Sequence, residues 1–373
     1  MSVPQIYFYP HAYLRDRHLD TIRNWPREQV INPWVADRKG AQVNAKSSLS
    51  KSVSLSWKQR LPLMNLKCRP KDVPCNGIVY VWGGVIGTGP FIVDLDNPYA
   101  LTGYNIRAMS IYRFILDAIL SSPRCLEIRC LSNACKQTLG LLFSDQVCRK
   151  ARVCYPHLPK MLDRVEDENQ RGCRFLFVGT QFELKGGPAL LRAFRRVYET
   201  NHSVSLTLIT HLSLEYRALA ESCPGVTVHE ARFTREEIWG RFMKEADVLV
   251  HPTYIESFGM VVLEALSHGL AVIATDVYAL EEMVIDGENG FLLKPPISVW
   301  DGVKPSRYHY DWKNFKRYVQ QTDTTTFEQD LEGAMVKMLQ GFPQLLRMKQ
   351  ASIDLFIQRF GGVGRRKTVQ EIR

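Results

Sequence analysis

From Arg174 onward the chain repeats one pattern. Short apolar runs rich in β-branched residues alternate with segments whose apolar residues recur at helical spacing: RFLFVG then PALLRAFRRVYE, SLTLIT then LEYRALAES, VTVHEA then REEIWGRFMKEA, DVLVHPT then FGMVVLEALSHG, and finally AVIATD. Strands that are apolar on both faces have to be covered on both faces, and the intervening helices supply the cover. The pattern predicts a doubly wound α/β domain with a parallel sheet. The front half repeats the grammar less regularly. QIYFYP, GIVYVWGG, FIVDLDN, EIRCLSN and ARVCYPH read as strands, NIRAMSIYRFILDAIL as an amphipathic helix, and NACKQTLGLLF as a second helix.

A length of 373 residues exceeds what one core usually supports. Two Rossmann-like domains are therefore expected, an N-terminal one over 1–162 and a C-terminal one over 173–342, with the polar run DRVEDENQRG (163–172) as linker. Ligands bind at the carboxyl ends of the strands in such sheets, so two domains facing a central cleft would place the site there. Residues 295–327, dense in aromatics and cations, interrupt the rhythm as a long connection. Trp300, Tyr308, Tyr310, Trp312, Phe315 and Tyr318 among Lys313, Lys316 and Arg317 suit a membrane-interface segment, an acceptor-binding lid, or an extra helix packed on the C-terminal domain.

Composition excludes several classes. Hydrophobic content of 45% with 23% charged residues is that of a globular protein. No run reaches the roughly 18 uninterrupted apolar residues that span a bilayer, and the start MSVPQIYFYPHAYLRDRH lacks the pattern of a signal peptide. A cytoplasmic protein, peripheral on the inner face of the membrane, is expected. The nine cysteines form no C-x-x-C pair and read as reduced thiols rather than a zinc site or a disulfide framework. The net charge of +10 is one-sided: residues 1–165 hold 23 Lys+Arg against 11 Asp+Glu, and residues 166–373 hold 25 against 27. A basic front half points to an anionic partner such as a membrane surface, while for nucleic acid no recognised motif accompanies the charge.

Two motifs carry chemistry. In HPTYIESFGMVVLEALSHG (251–269) Glu256 falls in the loop after a strand and Glu264 in the second turn of the following helix. The amides of Phe258, Gly259, Met260 and Val261 are expected in the first helical turn, where N–H groups lack intrahelical partners and the dipole is positive, a setting that binds phosphate. Glu256 would then face sugar hydroxyls and Glu264 a ribose diol. In FVGTQFELKGG (177–187) Gly179 permits a tight turn or close ligand approach, and Lys185 reaches back as a point charge for phosphate. In the front half, His11 and DLDNPY (94–99), with Asp94 and Asp96, are polar features at strand ends that could bind acceptor. The glycine-rich run WGGVIGTGP (82–90) does not fit a dinucleotide fingerprint and reads as a tight strand-to-strand turn.

These motifs, in this order on one α/β domain, resemble the nucleotide-sugar half of family-4 retaining glycosyltransferases of the GT-B fold. The resemblance rests on ESFGMVVLEA (256–265), the trailing GLAVIATD and EEMVIDGENGFLL (281–293), and FVG…KG, and covers roughly 174–293. In the front half only CLSNACKQTL and ARVCYPHLP match, as that family's last N-domain helix and the strand entering the linker. It implies that Glu256 contacts the donor sugar, Glu264 the ribose, and Lys185 with the amides of Phe258, Gly259 and Met260 the pyrophosphate. It also implies a C-terminal helix within 343–373 crossing back to the N-domain. The sequence departs from the family at Thr180, where an arginine often stands, and in lacking the glycine-rich first loop, since residues 9–18 are YPHAYLRDRH.

The implied activity is retaining transfer from a UDP- or GDP-linked sugar to a glycan or glycolipid acceptor. Glu256 and Lys185 would be essential to it. No cofactor and no metal is expected, because Lys185 and the helix end meet the leaving diphosphate electrostatically and Asp94 and Asp96 belong to the other domain. A sugar-nucleotide epimerase, a sugar phosphorylase and a non-catalytic sugar-nucleotide-binding protein are the alternatives on the same fold.

Overall fold

The computed structural model describes residues 5–10, 14–37, 63–165 and 172–361. The chain divides into two units, one built from the residues up to His157 and one spanning Leu158–Gly361. His11 and residues 166–171 of the proposed linker lie outside the described residues.

In the first unit five strands, Ile6–Tyr9, Ile78–Trp82, Phe91–Leu95, Cys125–Cys130 and Ala151–Val153, form one parallel sheet in that spatial order. Every residue of Ile78–Trp82 and Phe91–Leu95 is buried, Asp94 being the one charged side chain among them. The run at 82–90 is not a hairpin turn. The strands on either side of it are parallel neighbours, with Val79 opposite Phe91, so Gly83–Pro90 is a short crossover, and its Val85–Ile86 pairs in parallel with Leu66–Lys67.

Both helices expected in this unit form, each started by a side-chain cap. Asn105 accepts from Ala108 N (3.0 Å) ahead of Ile106–Ser121, and Ser132 accepts from Cys135 N (3.0 Å) ahead of Asn133–Leu142. A shorter helix, Asp16–Arg23, was not expected, because only Leu19 and Ile22 of its eight residues are strongly apolar. The helix Ile106–Ser121 is not simply amphipathic: it buries Ile106, Met109, Leu116 and Leu120, yet leaves Ile111, Phe114 and Ile115 exposed on other faces. All nine cysteines are free, and burial raises the thiol pKa of Cys125 to about 12 and that of Cys154 to about 11.

The second unit has six parallel strands in the order Val226–Glu230, Val204–Thr210, Cys173–Val178, Val248–His251, Ala271–Thr275, Gly290–Leu293. In chain order this is 3-2-1-4-5-6, the doubly wound arrangement. The sixth strand, within GFLL, was seen in the sequence only as part of a motif. The helix Gly187–Thr200 turns Leu190, Ala193, Phe194 and Val197 inward, while Arg192 and Arg196 pair with Glu328 (2.6 Å) and Glu332 (2.5 Å) on the helix Thr325–Leu339.

The helix Phe342–Leu355, continued by a π-helical turn at Phe356–Phe360, belongs to this unit: Lys349 reaches Asp247 Oδ1 (2.9 Å), whose other oxygen takes Arg174 Nε (3.1 Å). The stretch 362–373, where a helix crossing to the N-domain would finish, lies outside the described residues.

The aromatic segment 295–327 folds into a short antiparallel pair, Trp300–Asp301 with Lys304–Pro305, followed by short helices at Arg307–Tyr310 and Phe315–Gln321. Trp300, Phe315 and Val319 are buried, so the segment is packed onto its own unit. Of the readings open for it, the extra packed helix is the one the geometry matches. Among the described residues no helix is long and apolar enough to cross a membrane.

Candidate active site

In the 3-2-1-4-5-6 sheet, strands one and four are neighbours although their connections leave in opposite directions. The crevice beyond their carboxyl ends is the topological switch point, where this architecture binds ligands. Both motifs exit there. Val248 lies opposite Phe175 and Leu249 opposite Leu176, so the loops after Val178 and after His251 run side by side.

Two glycines allow those loops to meet. Gly186 has φ +71, and a Cβ on it would lie 2.0 Å from the carbonyl oxygen of Pro252, so backbone packs on backbone. Gly259 has φ +94, and a Cβ there would lie 2.5 Å from Leu280 Cδ2. Gly179 acts differently from the tight turn expected of it. Its N–H continues the sheet to Ile209 O (3.0 Å), and the space of its missing side chain holds the stem of Lys185, whose Cγ would be 3.3 Å from a Cβ.

At the centre Lys185 Nζ donates to Glu256 Oε2 (2.8 Å) and to the carbonyl of Ile255 (2.8 Å). His251 Nε2 also lies 3.1 Å from Glu256 Oε2, and Ser257 N donates to Oε1 (3.1 Å). Burial alone would raise the Glu256 pKa, but the charge of Lys185 and the His251 bond outweigh it and hold the carboxyl well below the usual range. Burial also lowers the pKa of His251, only partly offset by Glu256, so the imidazole is neutral and its Nε2–H is the donor. Trp300 Nε1 donates to the carbonyl of Glu256 (2.8 Å), and its ring stacks on Tyr278 at 4.1 Å.

The helix after this loop runs Met260–Ser267 with Gly259 as N-cap. Phe258 therefore precedes the helix rather than forming part of its first turn, and its side chain is buried. Val262 and Leu263 N both donate to Gly259 O (2.9 and 3.2 Å), which leaves the Met260 and Val261 amides ahead of the first intrahelical bond. Glu264 lies in the second turn, half-buried, its carbonyl accepting from Ser267 Oγ (2.7 Å). Thr180 is exposed at the strand exit. At the two neighbouring strand ends, His211 (3.1 Å) and Arg217 both engage Glu230.

The first unit's candidates are already bonded. Asp94 is buried between Arg17 (2.9 Å) and the Tyr80 hydroxyl (2.9 Å). Asp96 accepts from Asn97 N (2.9 Å) and from the Tyr104 hydroxyl (2.9 Å). His251 and Gly186 were not singled out from the sequence as site residues, and Trp300 was named only among the aromatics of the 295–327 segment. His251 could have been, as the polar residue ending an otherwise apolar strand.

Residues 172–300 match the family model described as glycosyl transferases group 1. The D-inositol 3-phosphate glycosyltransferase of Arthrobacter sp. (strain FB24) is 34% identical over 126 residues, 32% of this chain and 30% of that protein. The lipopolysaccharide glucosyltransferase WaaG of Escherichia coli is 31% identical over 125 residues, 33% of each. The matches thus span about a third of the length of these curated relatives.

Among solved structures, Anabaena HepE in complex with UDP-glucose superposes with a TM-score of 0.60 at 13% identity, covering 100% of this chain and 98% of that one. The pneumococcal O-GlcNAc transferase GtfA in complex with UDP and GlcNAc gives 0.53 at 13% identity, covering 81% and 56%. These likenesses give the fold, two Rossmann-like α/β domains as in GT-B glycosyltransferases. Residues 172–300 of the chain are thus similar to the group 1 glycosyl transferases.

Proposed function

We propose that this protein transfers a sugar, with retention at the anomeric carbon and without a metal, from a UDP- or GDP-linked donor to a glycan or lipid-linked acceptor. The observation that carries the reading is the Lys185–Glu256 pair at the switch point, beside the amino end of the helix Met260–Ser267. An ammonium has three donors, and Ile255 and Glu256 occupy two of them, so the third is available to a phosphate oxygen. The carboxylate accepts from Lys185, His251 and Ser257, which leaves capacity for a sugar hydroxyl.

In this reading the departing diphosphate is stabilised by Lys185 and by the Met260 and Val261 amides, a preorganised set that needs no reorientation as charge develops. Glu264, one turn further, takes the ribose diol. Gly179, Phe258 and Gly259 shape the pocket around the donor. The acceptor side falls to the first unit, where Asp94 and Asp96 are held in place rather than loose, and the basic front half favours an acceptor at an anionic membrane surface.

Incubation of the purified chain with radiolabelled UDP- and GDP-sugars in the presence of a chelator tests this. Slow hydrolysis or transfer with the anomeric configuration kept supports it. Binding without any turnover, or isomerised sugar as the product, overturns it.

A further inference from the structure

We propose that the outer face of residues 300–318 in the second unit docks an acidic glycan, a sugar chain that carries carboxylates. The inner face of this segment is spent on packing, since Trp300 and Phe315 are buried. Its outer face is ordered too. The Arg307 guanidinium lies 4.7 Å over the Tyr308 ring and donates to the Tyr308 hydroxyl (2.7 Å), and the Arg317 guanidinium lies 5.7 Å over the Tyr318 ring. The two tyrosine rings are 5.4 Å apart, and Tyr308 rests against the buried Phe315 at 6.3 Å. Two arginines are thus held on one aromatic base. A guanidinium already stacked on a ring loses little freedom when its fork of N–H donors meets a carboxylate.

Charge selects the occupant. Lys304, Arg307, Lys313 and Arg317 are exposed, whereas the Asp311 carboxylate accepts from the Tyr318 hydroxyl (2.6 Å) and from Asn314 Nδ2 (3.0 Å). This basic patch is an island, because residues 166–373 as a whole hold 25 Lys+Arg against 27 Asp+Glu. A bilayer or a nucleic acid is an extended anion that draws on a wide positive field, which this half of the chain lacks. A carboxylate on a sugar is a discrete anion that two arginines can meet. Tyr310, 49% exposed, adds a ring and a hydroxyl beside them, suited to the C–H faces and hydroxyls of a sugar. Placement joins the surface to the candidate site. Gln320 Nε2 donates to Glu183 Oε1 (2.7 Å), Lys316 pairs with the same carboxylate, and Trp300 Nε1 holds the Glu256 carbonyl (2.8 Å). The segment is therefore fastened to both loops that carry Lys185 and Glu256.

The use of such a surface rests on the proposed glycan acceptor, but its binding does not, and the test leaves out the donor. The full chain is titrated by calorimetry with galacturonic acid oligomers, and with the same oligomers methyl-esterified. Binding is expected to the acid form alone, to weaken with added salt, and to fall at least about tenfold in Arg307→Ala/Arg317→Ala. The melting temperature of that variant should match wild type, since both arginines are exposed.

No binding of the acid oligomers, or equal binding of the ester, overturns the proposal. So does an affinity that Arg307→Ala/Arg317→Ala keeps, which would assign the glycan to the basic first half of the chain. Tighter binding of single-stranded DNA, or of vesicles of phosphatidylcholine and phosphatidylglycerol, that is lost in the same variant would assign the face to those polyanions and overturn it too. Nucleotide-sugar turnover measured on the same samples separates the two ideas: its absence with glycan binding intact counts against the proposed activity alone.

Discussion

Lys185 and Glu256, 71 residues apart in the chain, form an ion pair of 2.8 Å at adjacent strand ends, and each is mostly shielded from solvent. The lysine charge and the carboxylate are therefore one unit that would meet a ligand together, rather than two independent grips. His251 and Trp300 hold that unit from behind, one through the carboxylate and the other through the Glu256 carbonyl.

Breaking the pair from one side strands a buried charge. Lys185→Met is expected to lose about 3–5 kcal/mol of stability at neutral pH, whereas Lys185→Met/Glu256→Gln loses less than the sum of the single changes. Urea unfolding measures both, and strict additivity would show that the pair is not coupled. If the proposed activity is right, each single variant also loses at least about 100-fold in kcat/KM; near-normal turnover in both would sink the assignment.

Trp300→Phe keeps the stack on Tyr278 and removes only the indole N–H that holds the Glu256 carbonyl. A loss of about 1 kcal/mol in donor binding is expected, about fivefold in KM, with the melting temperature nearly unchanged. An unchanged KM in the variant would mean that the aromatic segment does not position the loop.

Asp247 contributes a pH dependence to stability, as Glu256 does. Burial would raise the Asp247 pKa, but the bonds from Arg174 and the charge of Lys349 overcome that and lower it. A carboxylate depressed in the folded state contributes stability above its unfolded pKa, near 3.9, and loses it as pH falls through the folded value. Asp247→Asn should cost about 2–3 kcal/mol at pH 7, below the usual figure for a buried pair because Arg174 is partly in water, and the gap to wild type should close below about pH 4. Denaturant melts at pH 7 and pH 3 check it; a gap that stays constant rejects the ionic account.

Gly259→Ala places a side chain at φ +94 and 2.5 Å from Leu280 Cδ2. A loss of about 1–3 kcal/mol is expected from the backbone conformation alone. A melting temperature equal to wild type would show that the loop relaxes freely, and with it that the helix end is not rigidly placed.

The strands and most helices were legible in the sequence because their patterning is a local property: DVLVH and AVIAT are short, β-branched apolar runs that read as buried strands, and Gly259 and Gly269 bracket the helix between them. The positions of Lys185, Glu256 and Glu264 were legible for the same reason, since strand-exit loops and helix turns are local. The crossover at Gly83–Pro90, the sixth strand in GFLL and the packing of 295–327 were not, because each depends on which strand or loop lies alongside, and no spacing within the segment encodes that.

The same distinction governs the site and the surface. By itself the sequence determined a doubly wound second domain, the basic excess of the front half and the charged residues at the strand exit and in the helix that follows it. Only the tertiary structure decided that Lys185 and Glu256 are partners, that His251 is buried behind them, and that the helix Ile106–Ser121 turns Phe114 outward. Partners and exposure are set by strand order and by the face a helix presents to its sheet, and both depend on residues far apart in the chain.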